Sequence, residues 1–242
     1  MTHQPWTDKS GLGFALALLV GSACAQDLKA QDLETKIRSL YPNTSIRAVR
    51  STPLPGLFEV AMGSNIAYTD SSGRYFVFGH LFDMQTQVDL TASRLVEVKK
   101  VEFPSAFLAN AIKTVKGDGS RVMAVFSDPD CPYCQQLEAT LAALNNVTIY
   151  TFLYPLESLH PQAKTKAVSI WCGPERSATW SAAMLQGKTT PLHACSNPIN
   201  DNLVLGGHLG VTATPTLIAS DGRVLAGAAP LSQIEQWLGA AQ

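Results

Sequence analysis

The chain has 242 residues, 46% of them hydrophobic and 15% charged. That is enough apolar material for a packed core and, at roughly 100–200 residues per domain, for one large domain or two smaller ones. Lys and Arg number 18 against 19 Asp and Glu, a net charge of −1, so there is no basic surplus to neutralise nucleic-acid phosphates. Nor is there an acidic tail, a polybasic run, a low-complexity tract, or any segment with the ~18 uninterrupted apolar residues of a membrane-spanning helix.

Residues Leu12 to Val20 form a short apolar stretch behind Lys9, followed by Ala23-Cys24-Ala25 and then the polar Gln26-Asp27. An apolar run of 7–15 residues before an A-x-A-like site is the pattern of a secretory signal. Residues 1–25 are therefore expected to be a signal peptide, cut after Ala25. A lipid on Cys24 is the competing reading, disfavoured because Gly21 stands where a lipobox usually has Leu. Cleavage reduces five cysteines to four, namely Cys131, Cys134, Cys172 and Cys195, in an exported and therefore oxidising setting. Four cysteines allow three pairings. The simplest joins Cys131 to Cys134 and Cys172 to Cys195.

In the mature chain, Leu33, Ile37 and Leu40 lie at helical spacing, which predicts an amphipathic helix from Asp27 to Tyr41, ended by Pro42. The period then changes. Ile46–Arg50, Leu57–Met62, Ile66–Thr69 and Tyr75–Phe78 are short, β-branched or aromatic, and separated by turn residues such as Asp70-Ser71-Ser72-Gly73. Residues 26–90 thus read as an α+β helix-plus-meander domain, marginal by itself unless it dimerises or is otherwise braced. Thr91 is the expected N-cap of a helical linker over residues 91–117, with helix from Ala92 to Lys100, a break at Pro104 and helix again over Ala106–Val115. Lys116-Gly117-Asp118-Gly119 precedes a strand instead of following one, so its G-x-G is a turn and not a dinucleotide loop.

The domain expected over 118–242 is α/β. It opens with the apolar strand Val122–Phe126, passes through Cys131-Pro132-Tyr133-Cys134 into a helix carrying Leu137, Leu141 and Leu144, and returns as the strand Val147–Leu153. Such a β-α-β unit implies parallel strands. A helical section from Pro161 to Leu185, the hairpin Thr216–Ala219 with Val224–Ala226, and a terminal helix Leu231–Leu238 complete the thioredoxin arrangement.

Cys131-Pro132-Tyr133-Cys134 sits where strand gives way to helix. Pro132 suits the first helical position, which leaves Cys131 at the cap, where free N–H groups and the positive end of the helix dipole favour a thiolate. Cys131 is then the nucleophile toward substrate disulfides, expected to be exposed, and Cys134, one turn inward, resolves the mixed disulfide. Asp128 and Asp130 bring negative charge that partly opposes the thiolate. Three blander readings compete: a zinc half-site, for which Cys172 and Cys195 lack the paired spacing; an inert disulfide, odd at a helix N-terminus; and a Cys–His hydrolase, whose nucleophile a second cysteine would trap. No metal, cofactor or nucleic-acid partner is expected. A bridge between Cys172 and Cys195 would be structural, worth roughly 3 kcal/mol by loop entropy, and His193 beside it reads as a surface residue. Thr214-Pro215 reads by itself as a turn before a strand.

Taken together, Phe126 through Cys134, Trp171-Cys172 with Cys195, and Gly210-Val211-Thr212-Ala213-Thr214-Pro215 resemble the DsbC/DsbG group of bacterial periplasmic disulfide isomerases. Asn65-Ile66-Ala67-Tyr68, Gly79-His80-Leu81-Phe82-Asp83 and Val88-Asp89-Leu90-Thr91 follow the pattern of that group's N-terminal dimerisation domain. The resemblance covers essentially the whole mature chain, and the second cysteine pair favours the DsbC branch. It implies a V-shaped periplasmic homodimer whose apolar cleft holds misfolded exported proteins, chaperone-like, while Cys131 attacks wrong disulfides. It also implies a DsbD-type membrane reductase as partner, and Thr214 and Pro215 as a cis-proline loop that contacts substrate. Pro132 departs from the Gly of the best-known DsbC motif, which leaves the balance of isomerase and oxidase behaviour open. The rival readings are a DsbA-like thiol oxidase, a DsbG-like reductase of oxidised thiols, and a redox-inert holdase chaperone.

Overall fold

The computed structural model describes residues 20–239, with side chains from Asp27 onward. Residues 1–19 of the expected signal peptide lie outside the described residues, and the expected cut after Ala25 falls where only helical backbone is described. The chain divides into two compact units, the first ending at Val98 and the second beginning at Lys99. That division falls inside the stretch expected to be a linker.

In the first unit, helix α1 (Val20–Leu40) is followed by an antiparallel sheet of β1 (Ile46–Ser51), β2 (Phe58–Met62), β3 (Asn65–Thr69) and β4 (Phe76–Val77), paired in chain order. Ala30, Leu33 and Ile37 on one stripe of α1 bury against Ile46, Val49, Phe58 and Val60, the helical and two-residue periods meeting as amphipathic packing requires. A small hairpin of β5 (Phe82–Asp83) and β6 (Val88–Asp89) leads into α2 (Leu90–Val98). Thr91 is not the cap of that helix. It is buried, its hydroxyl 2.5 Å from the Tyr68 hydroxyl and accepting the Leu81 N–H at 2.7 Å. Asp89 caps instead, accepting the Ala92 N–H at 2.9 Å, a bond that holds its carboxyl below the usual carboxylate range.

The second unit begins with a turn of 3-10 helix (Ser105–Asn110) and then β7 (Ile112–Lys116), β8 (Arg121–Ser127), α3 (Pro132–Ala142), β9 (Val147–Leu153), α4 (Ala163–Cys172), α5 (Arg176–Gln186), α6 (Ile199–His208), β10 (Thr216–Ala219), β11 (Val224–Ala226) and α7 (Leu231–Gly239). The strand order is β11-β10-β8-β9-β7, with β8 and β9 parallel and every other pair antiparallel. The helix expected over Ala106–Val115 is corrected here: residues 105–110 form only a 3-10 turn, and Ile112-Lys113-Thr114-Val115-Lys116 is an edge strand whose residues alternate in burial, Ile112 inward and Lys113 and Val115 outward. That strand belongs to the second unit's sheet, so the expected linker is helical only in its first part.

Alternation along β8 sorts the core. Met123 and Val125 pack with Leu137, Leu141, Ile234 and Leu238 on the face covered by α3 and α7. Ala124 and Phe126 point to the other face, where Phe126 stacks on Phe152 at 4.9 Å and meets the Tyr154 edge at 5.6 Å. Helix α6 is not among the elements expected from the sequence, and it contains the pair Gly206-Gly207. In the fold, Gly206 is what lets α6 approach: a Cβ there would lie 2.3 Å from Tyr154 Cε2, whereas one on Gly207 would meet nothing within 4 Å. Gly206→Ala should therefore destabilise the chain by about 1–3 kcal/mol through overpacking. Gly207→Ala should stabilise it by up to about 1 kcal/mol through helix propensity. Urea denaturation of the two variants checks the opposite signs.

Candidate active site

Strand β8 ends at the buried Ser127, whose carbonyl accepts the Tyr154 N–H at 2.8 Å and so carries the parallel pairing with β9 to its limit. Here the chain leaves the sheet and starts a helix within four residues. Cys131 is the N-cap of α3, with extended φ and ψ of −79° and 121°, and Pro132 occupies the first turn. The Cys131 N–H donates to the Asp128 carbonyl at 3.2 Å, and its own carbonyl accepts the N–H groups of Cys134 at 3.0 Å and Gln135 at 3.1 Å. Both thiols are free.

The two sulfurs sit differently. The Cys131 thiol lies 3.5 Å from the Thr214 carbonyl, and its neighbours Pro132 and Tyr133 are exposed. Cys131 is itself 5% exposed against the open position expected from the sequence, because the Thr214-Pro215 loop folds over it. The Thr214-Pro215 peptide is cis. Cys134, at 1% exposure, packs in a cluster with Leu153, Ile170, Trp171 and Trp180. Burial pushes its thiol up to about 12, the nearby Cys131 adds to the rise, and hydrogen bonds from the Ser127 hydroxyl and the Asp128 N–H pull the other way. That N–H points at the Cys134 sulfur from 3.4 Å.

The two aspartates expected to oppose a thiolate are each engaged. Asp128 is wholly buried, its Oδ1 accepting the Asp130 N–H at 2.7 Å and its Oδ2 the Leu156 N–H at 2.7 Å, with His160 Nδ1 3.0 Å from Oδ2. Asp130 pairs with Lys166. Sequence reasoning found neither the place of Ser127 nor that of His160. The histidine stands 32 residues from Asp128, outside any motif, so only the fold could bring the two together.

Cys172 and Cys195 form a disulfide of 2.09 Å with Cα atoms 5.6 Å apart, joining the end of α4 to the coil before α6. His193 is exposed, its backbone N–H 3.4 Å from the Ser169 hydroxyl. Among the described residues, no three His, Cys, Asp or Glu side chains cluster as a metal site, and no helix is long and apolar enough to cross a membrane.

A free Cys-x-x-Cys pair at the start of the first helix after a buried central strand, facing a cis-proline loop, defines a thiol:disulfide oxidoreductase of thioredoxin fold. Residues 108–242 match the family described as a thioredoxin-like domain, and residues 21–92 the one described as the disulfide bond isomerase protein N-terminal domain. A probable thiol:disulfide interchange protein DsbC of Bordetella pertussis is 40% identical over 214 residues, 88% of this chain and 76% of its own. The thiol:disulfide interchange protein DsbC of Escherichia coli K12 is 24% identical over 225 residues, 92% of each chain. A solved structure, that of a disulfide interchange protein from Neisseria gonorrhoeae, is 40% identical with a TM-score of 0.54, covering 56% of this chain and 97% of its own. The chain belongs to the DsbC family of thiol:disulfide interchange proteins.

The unequal burial of the sulfurs has a direct chemical readout. With Cys134 pushed up to about 12, its thiolate is scarce at neutral pH, so alkylation of the Cys131→Ser variant should be slow at pH 7 and rise about tenfold per pH unit toward that value. Mass-spectrometric timing of iodoacetamide labelling, with Cys131 followed in the Cys134→Ser variant, measures both rates. Faster labelling of Cys134 than of Cys131 at pH 7 would reverse the assignment.

Proposed function

We propose that Cys131 attacks wrong disulfides in exported proteins and that Cys134 resolves the resulting mixed disulfide, the protein working as a periplasmic isomerase and reductase. The observation that carries this reading is the asymmetry of the pair. Cys131 caps α3, at the positive end of the helix dipole and beside the exposed Pro132 and Tyr133, while Cys134 is buried, which pushes its thiol up to about 12. A nucleophile at the helix cap and a slow resolver buried behind it is the arrangement isomerisation needs, because the mixed disulfide must live long enough for the substrate to find a better pairing.

Thr214 and Pro215 are assigned to substrate contact, since the backbone beside Cys131 is where an extended chain bearing the target disulfide would lie. Cys172–Cys195 is assigned a structural role: it ties the coil around residues 188–197 to the end of α4. The first unit is assigned to pairing with a second copy. In its four-stranded sheet β4 is an edge strand, and Tyr75, Val77 and Phe78 on and around it are exposed, an apolar group of the kind that marks an interaction surface. Holding substrate without regard to its sequence is a further task suited to such a dimer. The need to keep Cys131 reduced calls for a thiol reductase of the DsbD type at the membrane.

Two variants of the full mature chain test the division of labour. Cys134→Ser should accumulate mixed disulfides with a scrambled multi-disulfide substrate, visible on non-reducing gels, whereas Cys131→Ser should form none. Recovery of native substrate should fall to the uncatalysed rate in Cys131→Ser. Undiminished rescue by that variant would instead identify a redox-independent holdase. Trapping of the protein in cells with the dithiol mainly oxidised would identify an oxidase.

A further inference from the structure

The dithiol has a connection to solvent that disulfide exchange by Cys131 and Cys134 leaves unexplained. Asp128 carries no exposed surface, yet its carboxylate is the hub of three contacts, from the Asp130 N–H, the Leu156 N–H and the His160 ring, while its own N–H faces the Cys134 sulfur at 3.4 Å. A carboxylate so buried is tolerated only when its oxygens are satisfied and its charge is answered. Two of the three contacts are neutral peptide groups. His160, with 23% of its side chain exposed, is the one contact able to bring a positive charge.

We propose that His160 is a positioning residue for the resolving half of the exchange, acting through Asp128 on the peptide N–H that faces Cys134. The inference rests on the assignment of Cys134 as resolver. In that step the Cys134 thiolate attacks Cys131 Sγ in the mixed disulfide, a Cys131–Cys134 bond forms, and the bond to substrate breaks. Cys134 is oxidised, the substrate sulfur is reduced, and the proton given up by Cys134 ends on the departing thiolate by way of solvent. A bare Asp128 carboxylate behind the N–H resists the growth of negative charge on Cys134. An imidazolium on Oδ2 cancels that charge while holding the carboxylate, and so the 128–131 loop, in place.

The other charged groups near this pair are compensated. Asp130 is matched by Lys166 from α4, and Glu157 by Lys164 at 3.5 Å. Cys131 and Cys134 are the remaining titratable groups on the Asp128 side. Histidine side chains change charge between about pH 5 and 8, so the effect should be present at the acidic end of that range and fade at the alkaline end.

The test uses the full mature chain and 5,5′-dithiobis(2-nitrobenzoate), which releases one thionitrobenzoate on attack by Cys131 and a second on resolution by Cys134. At pH 5.5, His160→Asn should slow the second release relative to the first by roughly three- to tenfold, the scale of up to one pKa unit on the attacking thiol. The wild-type and variant ratios should converge by pH 8. Asp128→Asn removes the charge that His160 answers, so adding His160→Asn to it should cause no further slowing. A second phase that matches wild type at pH 5.5, or a deficit equal at pH 5.5 and 8, would overturn the proposal, the latter because loss of packing alone has no reason to depend on imidazole charge. Should His160→Asn fail to fold, His160→Gln removes the same imidazole charge and is read by the same comparison with wild type at pH 5.5 and 8. A wild type that releases no second thionitrobenzoate, or a Cys131→Ser variant whose single release is as fast as the wild-type first phase, would refute the roles of the cysteines instead.

Discussion

The Asp128 N–H points at the Cys134 sulfur, and the peptide carrying it is anchored from several directions. Its carbonyl accepts the Cys131 N–H, and its side chain is tied to Leu156, Asp130 and His160. These few bonds set the direction in which the chain turns out of β8, and with it the place where α3 starts. If that turn were loose, Cys131 would not sit at a helix cap and Cys134 would not be packed against Trp171 and Trp180. The sheet supplies the other half of the anchor. Parallel pairing of β8 with β9 runs to Ser127 and Leu153 and is continued by the Tyr154 N–H, so the loops that leave the two strands start side by side and can hold one carboxylate between them.

Burying two sulfurs in such a junction raises a conflict between packing and reactivity. Packing prefers a neutral thiol, and exchange needs a thiolate. The site divides the two demands between its cysteines. Cys134 satisfies packing, shut away one turn into α3, while Cys131 stays at the cap, at the positive end of the helix dipole. The strand edge farthest from the hairpin takes part as well. Lys116 on β7 sends its ammonium group to the Leu141 carbonyl at 2.8 Å, near the negative end of the helix whose positive end holds Cys131. Both ends of α3 are therefore held by groups from outside it.

What could be read from the residues was whatever a short stretch settles by itself. The four-residue cysteine motif, the proline at the first helical position and the apolar runs of β8 and β9 are local, and each appears in the fold where its pattern put it. The failures share a cause. Ala106 to Val115 has the composition of a helix, but its second half is drawn into the sheet by pairing with β9, a partner more than thirty residues away. Thr91 has the chemistry of a cap, yet Tyr68 from β3 claims its hydroxyl. Helix α6 went unread, and nothing near Gly206 announces that Tyr154 will need the space. Asp128 was legible as a charge near the cysteines but not as a charge already spoken for, since His160 reaches it only after β8 and β9 align.

The brevity of β4 has a meaning for how this protein persists in small numbers. Two residues at the end of a sheet, with Tyr75 and Phe78 bare beside them, make a weak border for a single chain. If a second copy seals that border, part of each copy's folding free energy is borrowed from the other, and the law of mass action enters its stability. Dilution would then loosen the first unit while the second, with its own sheet and cores, stayed whole. A scarce protein of this kind would keep its dithiol chemistry and lose its grip on substrates, turning from an editor of disulfides into a plain exchanger of them.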